Sequence, residues 1–266
     1  MSDFKITLRL ASPLFERTSA ARQPIMLDGA LARIQLERQG IRKTSAELKP
    51  ENLVFADLPI EKVGKCYLCS AAFFPKTVYE QYGAYAKRPV VSQNVCRSLP
   101  SYLPTGAPAE PALFYHVQNA VPDISFYVRV IDERKDEFIS LLKDLKNYGI
   151  GPKTSIGFGR IAKIDIALNK QHPDLCYRTE DGIPTRALPV DDFREKINVD
   201  KTAIGRSTYY APYWFVKNKV SCFLPSPKQY APRPLINQNA VSDLSQKLAT
   251  TIAEQKTRQA KKAKAL

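Results

Sequence analysis

The densest group of residues suited to binding a ligand lies between positions 147 and 161. This stretch holds four of the eleven glycines together with cationic and hydroxyl side chains: Gly149, Gly151, Lys153, Thr154, Ser155, Gly157, Gly159 and Arg160. Glycine adopts positive φ angles and lets the backbone approach a ligand closely. Backbone N–H groups beside Lys, Arg and hydroxyl groups suit phosphate oxygens. The composition therefore predicts a loop that binds phosphate groups.

The elements on either side of this loop decide which kind of phosphate site it can form. Residues 160–168 alternate as a strand does, and residues 134–148 carry a helical stripe made of Phe138, Leu141, Leu142, Leu145 and Tyr148. Dinucleotide and P-loop sites run strand, glycines, helix, whereas the order here is helix, glycines, strand. This order disfavours a mononucleotide site. The alternative to a binding loop is a plain connection in which Gly149 caps the helix.

Other segments complete a β-α-β-β-α-β order. Residues 4–10 alternate as a strand, and a helix that opens near Pro24 runs to Gly40. Within that helix, Asp28 suits the helix dipole or a buried hydrogen bond better than catalysis. Residues 112–116 and 123–130 resemble the two strands of a hairpin. A further strand, outside this order, is expected over Lys65–Phe74.

This order predicts an α+β fold with three parts. A ferredoxin-like, RRM-type domain is expected over residues 1–170, with a long insertion over about 41–111. A β-rich extension follows over 171–240, and its aromatic run Thr208–Val216 is expected to pack as a strand. Residues 241–266 form a basic helix or tail.

The charge and cysteine content narrow the possible partners. Forty Lys and Arg against 26 Asp and Glu give a net charge of +14, which favours a polyanionic partner. The sequence shows no apolar run long enough for a transmembrane helix, and its first residues enter a strand directly. Five cysteines without framework spacing fit reduced thiols, so a cytoplasmic protein with no membrane partner is expected.

A second candidate surface lies within the insertion. Aromatic and cationic residues interleave there, at Tyr79, Tyr82, Tyr85, Lys87 and Arg88. Tyrosines stack on unpaired bases and cations meet phosphates, so the segment suits a thumb that touches nucleic acid. The alternative is an insertion whose tyrosines pack on the core.

The glycine pattern and the opening of the chain together resemble a known superfamily. G-x-G-x5-G-x-G between a second helix and a last strand resembles the glycine-rich loop of RAMP proteins, the RNA-binding subunits of CRISPR effector complexes. Residues 4–10, Ser12-Pro13-Leu14 and the run Pro24–Ala32 resemble the start of the Cas-five-type subunit of type IV systems. The resemblance covers roughly the first 170 residues.

This resemblance implies a non-catalytic subunit, without a cofactor, that caps the crRNA 5′ handle. Its implied partners are crRNA, the backbone RAMP subunit and the large subunit, with target DNA only indirectly. The glycine loop with Lys153, Arg160 and Arg22 would hold the RNA backbone, and the tyrosine-rich segment would supply thumb-like contacts.

Residues capable of catalysis or metal binding are few. Cys66 and Cys69 form a C-x-x-C pair, but a structural zinc site needs four ligands and the other cysteines are scattered. His116, at a predicted strand end, is the candidate for the enzyme alternative, a metal-independent crRNA-processing RAMP endonuclease; otherwise it is a surface histidine. A third possibility, a basic RRM-like protein of RNA metabolism, lacks the RNP1 pattern.

Overall fold

The structure is a computed structural model, and it describes residues 1–17, 24–41, 55–74, 80–87, 112–119, 123–152, 154–170, 172–213 and 218–225. For residues 15–17, 80–87, 112–119 and 156 it describes the backbone alone. The chain divides into two compact units, Met1–Pro232 and Arg233–Leu266, and the second lies entirely outside the described ranges. The predicted basic segment 241–266 therefore lies outside them as well.

The described part of the first unit is mixed α and β, with antiparallel sheets and few helices. Its helices are α1 (Leu27–Arg38), α2 (Lys135–Tyr148) and α3 (Val190–Phe193). Its strands are β1 (Ser2–Leu10), β2 (Leu14–Arg17), β3 (Lys62–Val63), β4 (Cys66–Tyr67), β5 (Glu80–Lys87), β6 (Ala112–Asn119), β7 (Asp123–Val130), β8 (Ile161–Leu168), β9 (Leu188–Pro189), β10 (Ile204–Ser207) and β11 (Val220–Phe223). No helix in these ranges is long and apolar enough to cross a membrane.

The strand β1 is the middle of a sheet of order β7-β1-β8, in which both pairings are antiparallel. Its alternate residues Phe4, Ile6 and Leu8 are buried, as the period of two in the sequence predicts. The inward residues of β7 join the same hydrophobic cluster. The predicted strands at 4–10 and 160–168 are confirmed by β1 and β8.

The helices α1 and α2 both pack on this buried face of the sheet. Leu31 and Ile34 of α1 and Phe138 and Leu141 of α2 belong to the same cluster as the inward strand residues. The predicted helix at 134–148 is confirmed, and Gly149 ends it. The first helix is confirmed too, although it begins at Leu27 rather than near Pro24.

The predicted hairpin of residues 112–116 and 123–130 is wrong in its pairing. Both segments are strands, but β6 pairs with β2 and β5 in a separate antiparallel sheet. The outer edge of β7 is instead bridged by Ile60, Cys69 and Phe73. Strand propensity predicts that a segment is extended, whereas the partner is chosen by contacts that are distant in sequence. The strand expected over Lys65–Phe74 is reduced to the two residues of β4 and isolated bridges.

The residues after β8, together with Cys66 and Leu68, build a second hydrophobic cluster. Short strands in the order β10-β11-β9 surround it, and its largest members are Tyr177, Phe193, Tyr209 and Phe223. The aromatic run at 208–216 packs as expected in its described part, since Tyr209 is buried. It does not form a strand over residues 208–213, however.

One buried arginine, Arg186, contacts residues of both hydrophobic clusters. Arg186 is fully buried, and its guanidinium donates to the Asp28 carboxylate at 3.1 Å and to the carbonyl oxygens of Tyr67, Cys69 and Tyr209 at 2.6–2.8 Å. Burial alone would lower the pKa of Arg186, but the Asp28 carboxylate holds it well above its usual value. The interpretation of Asp28 as a buried hydrogen-bonding group is confirmed.

Candidate functional site

The candidate site is the glycine loop, residues 149–160, which connects α2 to β8. Gly149 has φ +73° and donates its N–H to the carbonyl of Leu145 at 2.9 Å, so it caps the helix. The alternative in which Gly149 caps the helix is therefore confirmed. This role accounts for one of the four glycines of the loop.

Gly159 holds the two ends of the loop together. The N–H of Ile150 donates to the carbonyl of Gly159 at 2.9 Å. A Cβ atom on Gly159 would stand 1.9 Å from the carbonyl oxygen of Ile150, closer than any real contact. Gly159 also has φ +61°. Only glycine allows the chain to cross itself this closely.

The loop is also fixed to the segment that follows β1. The N–H of Gly159 donates to the carbonyl of Pro13 at 2.9 Å, and the N–H of Arg160 donates to the hydroxyl of Ser12 at 2.8 Å. The Cβ direction of Gly151 points at Leu14, 3.4 Å away. These N–H groups are therefore committed to holding the loop. The predicted phosphate site would therefore rest on side chains of the loop more than on these backbone groups.

Gly157 differs from the other three glycines. Its φ is +97°, and no atom of a described residue lies within 4 Å of the position of its Cβ. The turn favours glycine there, and no described residue crowds the space beside it.

A groove of about 520 Å³ lies between the glycine loop and α1. It is shallow and largely open to solvent. Residues of both elements and the last turn of α2 line it: Arg33, Asn147, Tyr148, Gly151, Pro152, Thr154 and Ser155. The loop therefore presents Thr154 and Ser155 toward a concave surface.

The charge of Arg33 and the hydroxyl of Tyr148 in the groove are already engaged by neighbouring groups. The guanidinium of Arg33 lies 5.8 Å from the centre of the Tyr148 ring and pairs with the Glu37 carboxylate at 3.0 Å. Glu37 also accepts a hydrogen bond from the Tyr148 hydroxyl, and this raises the pKa of Tyr148. The groove is thus an aromatic and amide surface with little net charge.

The remaining sequence-predicted residues fall into three groups. Ser155 and Arg160 are exposed, and Arg160 forms no ion pair with any described residue. Tyr82, Tyr85 and Lys87 lie in β5, where only the backbone is described. The others lie outside the described residues: Arg22, Tyr79, Arg88 and Lys153. Whether the thumb segment meets the glycine loop stays a prediction.

The cysteine pair is divided between the two hydrophobic clusters. Cys66 belongs to the second cluster and Cys69 to the first, and each thiol donates to a neighbouring carbonyl. Burial raises the pKa of Cys66 to about 11, which keeps it a thiol at neutral pH. Among the described residues no group of three or more His, Cys, Asp or Glu is placed to hold a metal ion.

The two histidines lie in unlike settings. His116 is in β6, opposite Arg17 of β2 and Gly83 of β5, and only its backbone is described. His172 precedes a short 3-10 helix, and its Nδ1 lies 2.5 Å from a carboxylate oxygen of Glu180. The catalytic alternative for His116 stays a prediction.

Sequence reasoning did not single out four groove residues as site residues: Arg33, Asn147, Tyr148 and Pro152. Tyr148 was assigned to the apolar stripe of α2, yet it is 38% exposed. The sequence around Arg33 does not mark it as a site residue, because only the packing of α1 against α2 brings it to Tyr148. Arg38 of α1 also pairs with Asp144 of α2 at 2.7 Å.

In comparisons with known proteins, neither a protein-family model nor a curated protein matches this chain.

Proposed function

We propose that this protein is a Cas-five-type RAMP subunit of a type IV CRISPR effector complex. In this role it binds crRNA without cleaving it, caps the 5′ handle, and contacts the backbone and large subunits in the cytoplasm. The observation that carries the proposal is the glycine loop, which is held rigidly at both ends and opens on one side to a groove. A loop that is fixed in this way is preorganised for a ligand.

The arrangement of the central elements supports the proposal. In a ferredoxin-like RAMP domain, β1, β7 and β8 would be the first, third and fourth strands. The segment of residues 60–73 along the outer edge of β7 would take the place of the second strand. Both helices lie on one face of this sheet. The glycine loop then stands between the second helix and the last strand, as the resemblance implies.

The charge also supports a nucleic-acid partner. The net charge is +14, and Arg160 presents an unpaired guanidinium, as judged from the described residues, at the base of the loop. Arginine binds phosphate through a planar set of donors. Arg160 and Lys153 of the same loop are therefore proposed to hold the phosphates of the RNA backbone.

The proposal is tested by purifying the tagged protein from cells that express the neighbouring genes and a CRISPR array. We expect it to carry RAMP partners and discrete crRNAs that share one 5′ end, as sequencing of the bound RNA would show. Recovery of neither RNA nor partners would refute the proposal. Cleavage of repeat RNA by the isolated protein without metal, abolished in His116→Ala, would replace it with the endonuclease.

Removing the two loop cations should weaken RNA binding and its dependence on salt. We expect the Lys153→Ala, Arg160→Ala double variant to lower the slope of log K against log salt by about 1.4, because each phosphate contact on a single strand contributes about 0.7. The measurement is fluorescence anisotropy with a labelled single-stranded RNA at several salt concentrations.

The matched control changes two other exposed cations, Lys201 and Lys219, which lie near the second hydrophobic cluster. The Lys201→Ala, Lys219→Ala variant has the same net charge as the loop variant. If both double variants changed the slope equally, the effect would come from net charge, and the loop assignment would be wrong.

A further inference from the structure

The groove between α1 and the glycine loop has a chemistry of its own, distinct from that of the loop cations. Its lining combines an exposed aromatic ring, a guanidinium, a side-chain amide and two hydroxyl groups. We propose that this groove takes one unstacked nucleobase of single-stranded RNA, lying against Tyr148. The inference rests on the proposed function and adds to it a base-recognition site.

Tyr148 and Arg33 provide the flat surfaces that a base requires. The Tyr148 ring is 38% exposed although it ends the apolar stripe of α2. The Arg33 side chain is 63% exposed, and its guanidinium lies over the ring. Unstacked RNA bases lie on aromatic rings or on arginine planes. The exposed part of Tyr148 borders the groove, where a stacked base would cover it.

The charges around the groove disfavour a phosphate in the same place. Arg33 already pairs with the Glu37 carboxylate at 3.0 Å, and Asp144 also lies close enough to raise the pKa of Tyr148. The C-terminal end of α2, which carries partial negative charge, closes the groove at Asn147. An anion would meet these groups, whereas a neutral base would not.

The remaining lining residues suit the edge of a base. Asn147 offers both a carbonyl oxygen and an amide donor, and Thr154 and Ser155 offer hydroxyl groups. The adjoining phosphates would then lie outside the groove, toward Arg160. Base and phosphate are thereby assigned to different residues, which makes the two contributions separable by experiment.

The test uses the full-length protein and an oligouridylate of about 15 nucleotides, close to the upper site size of single-strand binding domains. Tyr148→Ala should bind this RNA roughly 5- to 150-fold more weakly, which is the usual cost of removing one stacking ring. Its salt slope should not change, because no phosphate contact is lost. Tyr148→Phe keeps the ring and should bind as the wild type does.

Two controls decide the result. Phe55→Ala removes another exposed ring, 52% accessible and outside the groove lining, and should leave binding unchanged. An abasic ribose-phosphate oligomer of the same length should bind equally to the wild type and to Tyr148→Ala. If Tyr148→Ala melts as the wild type does and binds oligouridylate equally well, the proposed base site is wrong. The proposed function would be unaffected by that result. Absence of RNA binding by the wild type would overturn both.

Discussion

Replacement of Arg186 by methionine should remove about 3–5 kcal/mol from the free energy of unfolding, the usual cost of breaking a buried ion pair. The guanidinium is fully buried and satisfies the Asp28 carboxylate and three backbone carbonyls. Methionine fills a similar volume but donates no hydrogen bond. The carboxylate of Asp28 would then be left buried without its counter-ion. Urea unfolding followed by circular dichroism measures the loss.

The double variant Asp28→Asn, Arg186→Met separates the charge from the packing. It removes the stranded carboxylate, so its destabilisation should be smaller than the sum of the two single variants by about 1–3 kcal/mol. Exact additivity would mean that the pair does not interact.

Arg178 is the matched control for Arg186. It also pairs with an aspartate, Asp174, at 2.7 Å, but its side chain is 34% exposed. Arg178→Met should therefore cost about 1 kcal/mol or less, as partly exposed pairs do. Equal losses at Arg186 and Arg178 would mean that burial does not set the energy of the Arg186 contacts.

The elements that the sequence predicts correctly are those with a strong local period. The alternation of Phe4, Ile6 and Leu8 and the stripe of α2 each report which face is buried, and both are seen. The partner of a strand is not encoded locally. Residues 112–116 are extended as expected, yet β6 pairs with β2 and β5, and residues of the segment 60–73 take the edge of β7.

The candidate site, like the fold, could be predicted only in part from the sequence. Composition alone locates the glycine loop, because four glycines around hydroxyl and cationic residues are uncommon. The groove beside it depends on Arg33 of α1 reaching Tyr148 of α2, and no short motif contains both. The role of Arg186 could not be predicted from the sequence for the same reason. The sequence around it contains no distinctive motif, and only the tertiary fold brings Asp28 to it.

The loop itself provides the second large expected effect. Gly159→Ala should destabilise the protein by about 3–5 kcal/mol, because it combines the cost of a positive φ angle with a steric overlap. The new Cβ would stand 1.9 Å from the carbonyl oxygen of Ile150, and this oxygen is backbone that cannot rotate away. Relief requires breaking the hydrogen bond from Ile150 to Gly159, which closes the loop. Urea unfolding measures the change.

Gly157→Ala is the control that isolates the overlap, because Gly157 also has a positive φ angle but no atom of a described residue within 4 Å of its Cβ position. Only the backbone strain remains there, about 1–2 kcal/mol. A similar loss in both variants would mean that the crossing at Gly159 is not a tight contact. A larger loss at Gly159 with weaker RNA binding at Gly157 would assign the two glycines different roles. Gly159 would then fix the shape of the loop, and Gly157 would keep its outer side open to the nucleic acid.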